Sequence, residues 1–115
     1  MIDFACKTFQ LDEIIRCSFT ITKADFKVME YMVKHDEDWF TTEELAKKLN
    51  LNLTTIQRAV KKLFEKEVLD RKQNNLSNGG YIYIYRIKDK HTIRKLILGI
   101  IDEWKENVEK QLKNW

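Results

Sequence analysis

The polar side chains between Asn52 and Lys66 form a biased set. Thr54, Thr55, Gln57, Arg58, Lys61 and Lys62 offer hydroxyls, a forked amide, a guanidinium and two ammonium groups, and no acid appears before Glu65. The stretch contains no nucleophile paired with a base and no pair of carboxylates. Its chemistry is recognition of a polyanion: Lys and Arg neutralise phosphate-like charge, while Gln and Arg present donors and acceptors that match planar polar edges. Short threonines at the start of a helix also let its backbone amides and dipole come close to an anion.

No other constellation competes with it. Ser18 and Ser77 have no histidine and acid in any triad-like context, neither His35 nor His91 sits in a metal or nucleophile motif, and there is no glycine-rich phosphate loop. Cys6 and Cys17 lie eleven positions apart without a CxxC. On one helix that spacing is three turns, about 16 Å, too far for a disulfide. Two reduced thiols are the default reading, with a redox role across subunits as the alternative. We therefore expect no enzyme, no metal and no cofactor.

A chain of 115 residues, 43% hydrophobic and 34% charged, has the size and balance of one folded domain. Three glycines and no proline favour helices. No apolar run reaches the ~20 residues of a membrane span. The start, MIDFACKTF, has an acid at position 3 and no apolar segment of the signal-peptide type, so a cytoplasmic protein is expected. The net charge of +3 is small, but its distribution is polarised. From Asp25 to Glu44 two lysines stand against seven acids, and from Gln57 to Glu67 four cations stand against two. Such polarity suits a directional electrostatic footprint.

Periodicity supplies the elements that must hold these residues. From Phe4 to Phe19 apolar residues recur at Phe9, Leu11, Ile14, Ile15 and Phe19, suggesting a helix or a helix and turn. Thr22-x-x-Asp25 and Thr41-x-x-Glu44 read as capping boxes that open two more helices, separated by the acidic loop HDEDWF. Asn52 is a good N-cap for the next helix, and Leu51 with Ile56 forms a hydrophobic staple. Ile56, Ala59, Val60, Leu63 and Phe64 make one apolar stripe, which turns Thr54, Arg58, Lys61 and Glu65 outward with Gln57 and Lys62 on the flanks. A short strand VLDRKQ, a turn-rich tip QNNLSNGG and a strand YIYIYRIK follow. That second strand is apolar on both faces and should be sandwiched. Tyr81, Tyr83 and Tyr85 suit sheet packing better than base stacking. Arg86, Lys88, Lys90, Arg94 and Lys95 form a second basic run, suited equally to phosphates and to water.

From Thr92 to Trp115 the residues Ile97, Ile101, Trp104, Val108, Gln111 and Trp115 recur at spacings of 4, 3, 4, 3 and 4, the pattern of a seam between helices. Trp104 and Trp115 suit an interface or core better than a ligand cage. The order of helices, tight turn, helix, hairpin and long helix defines the expected fold. It is mainly α with a small β-hairpin (α+β), a winged helix-turn-helix with an N-terminal helical segment over 1–19, a winged core over 20–90 and a C-terminal dimerisation helix over 91–115. In such a unit the third helix enters the major groove of duplex DNA. Arg71, Lys72, Asn74, Asn75 and Asn78 would add contacts from the wing, and Ile97, Ile101, Trp104, Val108 and Trp115 would form the dimer interface.

The stretch TEELAKKLNLNLTTIQRAVKKLFEKEVLDR resembles the winged helix-turn-helix of archaeal and bacterial regulators of the MarR and TrmB types. The resemblance extends over roughly Ile14 to Trp115. It implies a recognition helix at Leu53 to Lys66, a wing tip at Lys72 to Gly80, and a dimeric repressor or activator. Where the family has glycine after the recognition helix this chain has Glu67. A left-handed backbone there costs a glutamate on the order of 1 kcal/mol. The expected function is sequence-specific binding of double-stranded DNA by a homodimer at a near-palindromic operator. A winged helix used as a protein–protein module in a transcription or assembly complex is the alternative. The operator, the direction of regulation and any small-molecule or redox effector are not written in the sequence.

Overall fold

A computed structural model describes residues 1–115. The chain divides into two units, Met1–Thr20 together with Lys90–Trp115, and Ile21–Asp89. The fold is α+β and winged-helix-like, with five helices and two small antiparallel hairpins.

The second unit contains α2 (Lys23–Lys34), α3 (Thr42–Leu49), α4 (Leu53–Glu65), β3 (Leu69–Asn75) and β4 (Tyr81–Ile87). Both expected capping boxes form. The Thr22 and Thr41 hydroxyls accept from the Asp25 and Glu44 amides, and each carboxylate accepts from the amide of its threonine. Between α3 and α4 the chain turns in three residues. Asn50 takes a left-handed backbone (φ 53°), and the Leu51 amide reaches back to the Ala46 carbonyl at 3.1 Å. Asn52 then caps α4 by accepting from the Thr55 amide at 2.8 Å.

α4 is held by its apolar stripe. Ile56, Ala59, Val60 and Leu63 are all buried, as are Val28 and Met32 of α2 and Leu45 of α3. The helix ends in a Schellman turn, with Val68 N–H on Leu63 O and Glu67 N–H on Phe64 O, both at 3.0 Å. Glu67 occupies the left-handed position of that turn, at φ 65°. The glutamate therefore adopts the same backbone that glycine would, and the buried Val68 anchors the start of the hairpin.

β3 and β4 pair from Leu69↔Ile87 to Asn75↔Tyr81, and Phe40 adds a two-bond bridge to Tyr85 on the other edge of β4. Asn74 and Asn75 thus lie in a strand, and the tip is Leu76–Gly80, with left-handed backbones at Gly79 and Gly80. β4 is not sandwiched along its whole length. Ile84 and Ile87 are buried, but Tyr81, Ile82 and Tyr83 are exposed, because the hairpin runs out beyond the helices.

In the first unit the expected helix is shorter than its apolar pattern. Ile2–Phe4 (β1) and Lys7–Phe9 (β2) form a hairpin, and only Leu11–Phe19 (α1) is helical. Alternating Ile2, Phe4 and Phe9 fit a strand period as well as a helical one. α5 (Lys90–Lys113) lies beside α1. Its first turns bury Ile93, while Leu98, Ile101, Trp104, Val108, Leu112 and Trp115 remain exposed.

Replacing Glu67 by glycine relieves the left-handed strain without removing a buried contact. Urea unfolding should show a gain of roughly 0.5–1 kcal/mol. A loss would mean that the glutamate side chain has a stabilising partner.

Candidate nucleic-acid interface

The outward side of α4 is built by what lies beneath it. With the stripe buried, Thr54, Gln57, Arg58, Lys61 and Glu65 are exposed and Thr55 is half-buried. α1, α2 and α3 each place an acid in the first turn, which offsets the positive end of the helix dipole. α4 has none, and its cap is the neutral Asn52. Its N-terminus keeps its positive potential beside two hydroxyls and a guanidinium.

Lys62 is set apart from this group. Its Nζ donates to Asp25 Oδ2 at 3.1 Å, and Asp25 is only 4% exposed. The same carboxylate oxygen accepts from the Thr22 amide at 3.0 Å, so one buried acid caps α2 and ties it to α4. The charge of Lys62 is thereby committed to Asp25, whereas Lys61 on the next position is free to face an anion.

The wing base carries cations held on aromatic faces. The Arg71 guanidinium lies 4.3 Å from the Phe64 ring centre and 4.2 Å from that of Tyr83, between the two. On the other side of the hairpin Lys72 and Arg86 both sit over the Trp39 indole, at 4.6 and 4.7 Å. Such contacts are worth about 0.5–1 kcal/mol each when exposed, and they restrict long side chains that would otherwise wander. Between α4 and the hairpin an open cleft of about 540 Å³ brings Gln57, Lys61, Phe64 and Arg71 together, with Glu65 on its wall. Asn74, Asn75 and Asn78 are exposed further out along the wing. Tyr81 packs edge-on against Tyr83 at 5.3 Å. Hydrogen bonding and charge from Tyr83 hold the Tyr81 phenol above the usual tyrosine pKa, with Arg71 pulling weakly the other way. Tyr81 is thus a neutral O–H donor at physiological pH.

The structure therefore gathers Gln57, Lys61 and Arg71 around one cleft, with Thr54, Thr55 and Arg58 along the same α4 and Lys72 across the hairpin. The five expected interface residues of α5 belong to the other unit; Ile97 is half-buried and the rest are exposed. Arg86 and Lys88 of the second basic run lie in the winged unit, and Lys90, Arg94 and Lys95 in α5. Sequence reasoning missed Trp39 and Phe64 as platforms and Asp25 as the partner of Lys62. The only signal for Trp39 was its place beside Phe40, which bridges to β4.

The DnaD N-terminal domain model matches residues 9–109. The chain belongs to that family. The uncharacterized protein MJ1503 of Methanocaldococcus jannaschii is 31% identical over 105 residues, covering 91% of this chain and 78% of that protein. Among solved structures, a possible transcriptional regulator from Methanosarcina mazei Go1 is 46% identical, with a TM-score of 0.94 over all of this chain and 96% of the other. The Staphylococcus aureus MepR–DNA complex is 19% identical, with a TM-score of 0.54 over 89% of this chain and 75% of that one, a likeness of fold alone. No helix is long and apolar enough to cross a membrane.

Lys61 and Lys62 should separate in experiment. Lys62→Gln leaves a buried carboxylate without its cation and should lower stability by about 1–2 kcal/mol, with the salt dependence of duplex binding unchanged. Lys61→Gln should leave stability unchanged and lower the salt slope by about one charge. Urea unfolding and binding titrations at several salt concentrations measure both.

Proposed function

We propose that the chain is a transcriptional regulator that binds double-stranded DNA sequence-specifically, using its winged helix in the manner of the MarR and TrmB types. The observation that carries this reading is the exposed, acid-free first turns of α4, which present Thr54, Gln57 and Arg58 beside Lys61 and the aromatic-held Arg71. Phosphates would meet the α4 N-terminus, Lys61, Lys72 and the wing amides of Asn74, Asn75 and Asn78. Base edges would meet Gln57 and Arg58. The similarity to a possible transcriptional regulator and to the fold of a protein solved with DNA supports the same reading.

Selection from a random duplex pool at two salt concentrations tests it. Gln57→Ala and Arg58→Ala should each cost about 1–3 kcal/mol on the selected site and relax preference at particular positions. An equal loss on every duplex would assign them to phosphates, and a wild-type protein with no duplex affinity would remove the reading altogether.

The regulator would act as a homodimer joined through α5, on a near-palindromic operator. Trp104 is 57% exposed and Trp115 98%, and within the chain Phe4 meets the Trp104 ring only edge-on at 6.3 Å, so the outer end of the seam is left open. The same exposed face favours the second reading, a protein–protein module, in which the partner would be a different chain. Ile101→Asp and Trp104→Asp change exposed positions and should spare the fold while giving monomers that bind DNA much more weakly. Analytical ultracentrifugation decides: a wild type that sediments as a monomer at micromolar concentration would remove the dimer and the palindrome together.

A further inference from the structure

The outer half of the wing has side chains that duplex binding does not use. From Arg71 to Lys88 there are four cations and no acid. Yet none of the cations stands at the tip, where Leu76, Ser77, Asn78, Gly79 and Gly80 would meet the wall of a groove lined by phosphates. The exposed residues next to it are aromatic and amide. Tyr81 is 53% exposed and Tyr83 37%.

The register places them on one face. Tyr81 stands opposite Asn75, Tyr83 opposite Gln73, and Tyr85 opposite Arg71. The rings continue inward as a ladder. Tyr81 meets Tyr83 at 5.3 Å, Tyr83 meets the Arg71 guanidinium at 4.2 Å, and Arg71 meets Phe64 at 4.3 Å. Alongside the rings, Gln73 Nε2 donates to Asn75 Oδ1 at 3.2 Å, which leaves other amide donors and acceptors of the pair open to a base edge. Planar hydrocarbon surface with a stacked guanidinium, amides at the rim and positive charge at the base is poor at gripping phosphates alone. It is suited to the flat faces of bases that have left a duplex.

We propose that the wing face formed by Tyr81, Tyr83, Gln73, Asn75 and Arg71 is a binding site for unpaired nucleotides, taking two successive bases on the tyrosine rings with their phosphates toward Arg71. The occupant is fixed by charge as well as by shape, since from Leu69 to Lys88 four cations stand against one acid, Asp70 at the foot of the hairpin, and an acidic or neutral protein edge would leave the tyrosine faces without a stacking partner. The site goes beyond the duplex-binding reading. It lies on the wing, whereas base-edge reading by Gln57 and Arg58 lies on α4.

Fluorescence anisotropy with the full chain tests it, using labelled oligo-dT, oligo-U and a blunt duplex of the same length. Wild type should bind at least one of the single strands. Tyr81→Ala and Tyr83→Ala should weaken that binding roughly five- to a hundredfold each, and Tyr81→Ala, whose ring does not hold Arg71, should change affinity for the blunt duplex less than twofold. Tyr81→Phe and Tyr83→Phe should retain it, because the ring and not the hydroxyl carries the stack. A preference for oligo-U would locate the site on RNA, and equal affinity would make the sugar irrelevant; either supports the site. Wild type without measurable affinity for either single strand would overturn the proposal, as would a Tyr81→Ala variant that loses duplex and single strand alike. Loss of duplex affinity in the wild type with single-strand binding intact would instead remove the duplex reading and leave this one standing.

Discussion

The packing of Ile56, Ala59, Val60 and Leu63 beneath α4 fixes the rotation of that helix, and with it the direction of every polar side chain on the proposed interface. Burying four such side chains contributes several kcal/mol, about 1.5–3 for each large one, so turning α4 by even one residue (~100°) would expose part of the stripe and bury a cation. The Asp25–Lys62 ion pair acts in the same direction from the rim. Asp25 is already held by the capping box of α2, so it offers Lys62 one place to go. The helix is thus fixed by apolar contact from below and by one charge at its flank, and the remaining cations are left to the outside.

The turns on either side of α4 show how the fold supports that orientation. Each uses a left-handed residue followed by a buried or half-buried aliphatic: Asn50 and Leu51 before it, Glu67 and Val68 after it. Asparagine tolerates that backbone well, and glutamate less so. Retaining it at Glu67 shows that the Schellman hydrogen bonds and the burial of Val68 outweigh a local strain of about 1 kcal/mol. The angle at which the hairpin leaves α4 is therefore set by backbone hydrogen bonds, whatever side chain stands at the turn.

Much of this was legible in the sequence because it is local. Capping boxes, the Asn52 cap and the α4 stripe depend on residues three or four apart, the hairpin on a short turn closed between Leu76 and Gly80, and all of them form. What was not legible depends on distant pairing. Nothing near Lys62 announces Asp25, thirty-seven positions away. Phe40 and Trp39 follow an acidic loop, and only their bridge to Tyr85 places an indole under Lys72 and Arg86. The strand YIYIYRI looked buried on both faces because apolar patterning records side-chain type and not how far a hairpin projects. The N-terminal hairpin was hidden by ambiguity of period, since Ile2, Phe4 and Phe9 serve a strand while Leu11, Ile14 and Ile15 continue as a helix. The resemblance of TEELAKKLNLNLTTIQRAVKKL to winged regulators reached the scaffold, and the family that matches is that of the DnaD N-terminal domain.

The cations of the interface are ordered by two different means, and the difference has a physical consequence. Arg58 and Lys61 stand on a helix, where backbone geometry fixes the Cβ but leaves long side chains mobile. Arg71, Lys72 and Arg86 stand on a projecting two-stranded hairpin, an element marginally stable by itself. There the aromatic faces of Phe64, Tyr83 and Trp39 do what the helix does elsewhere. They hold the charges in place and fasten the hairpin to α4 on one side and to the Trp39–Phe40 segment on the other. Fixing a long cationic side chain beforehand lowers the ordering cost of about 0.5–1.5 kcal/mol that it would otherwise meet on binding. A wing with bare surface cations would have to be ordered by its ligand; this one is ordered by its own aromatic rings, so more of any phosphate attraction would appear as affinity.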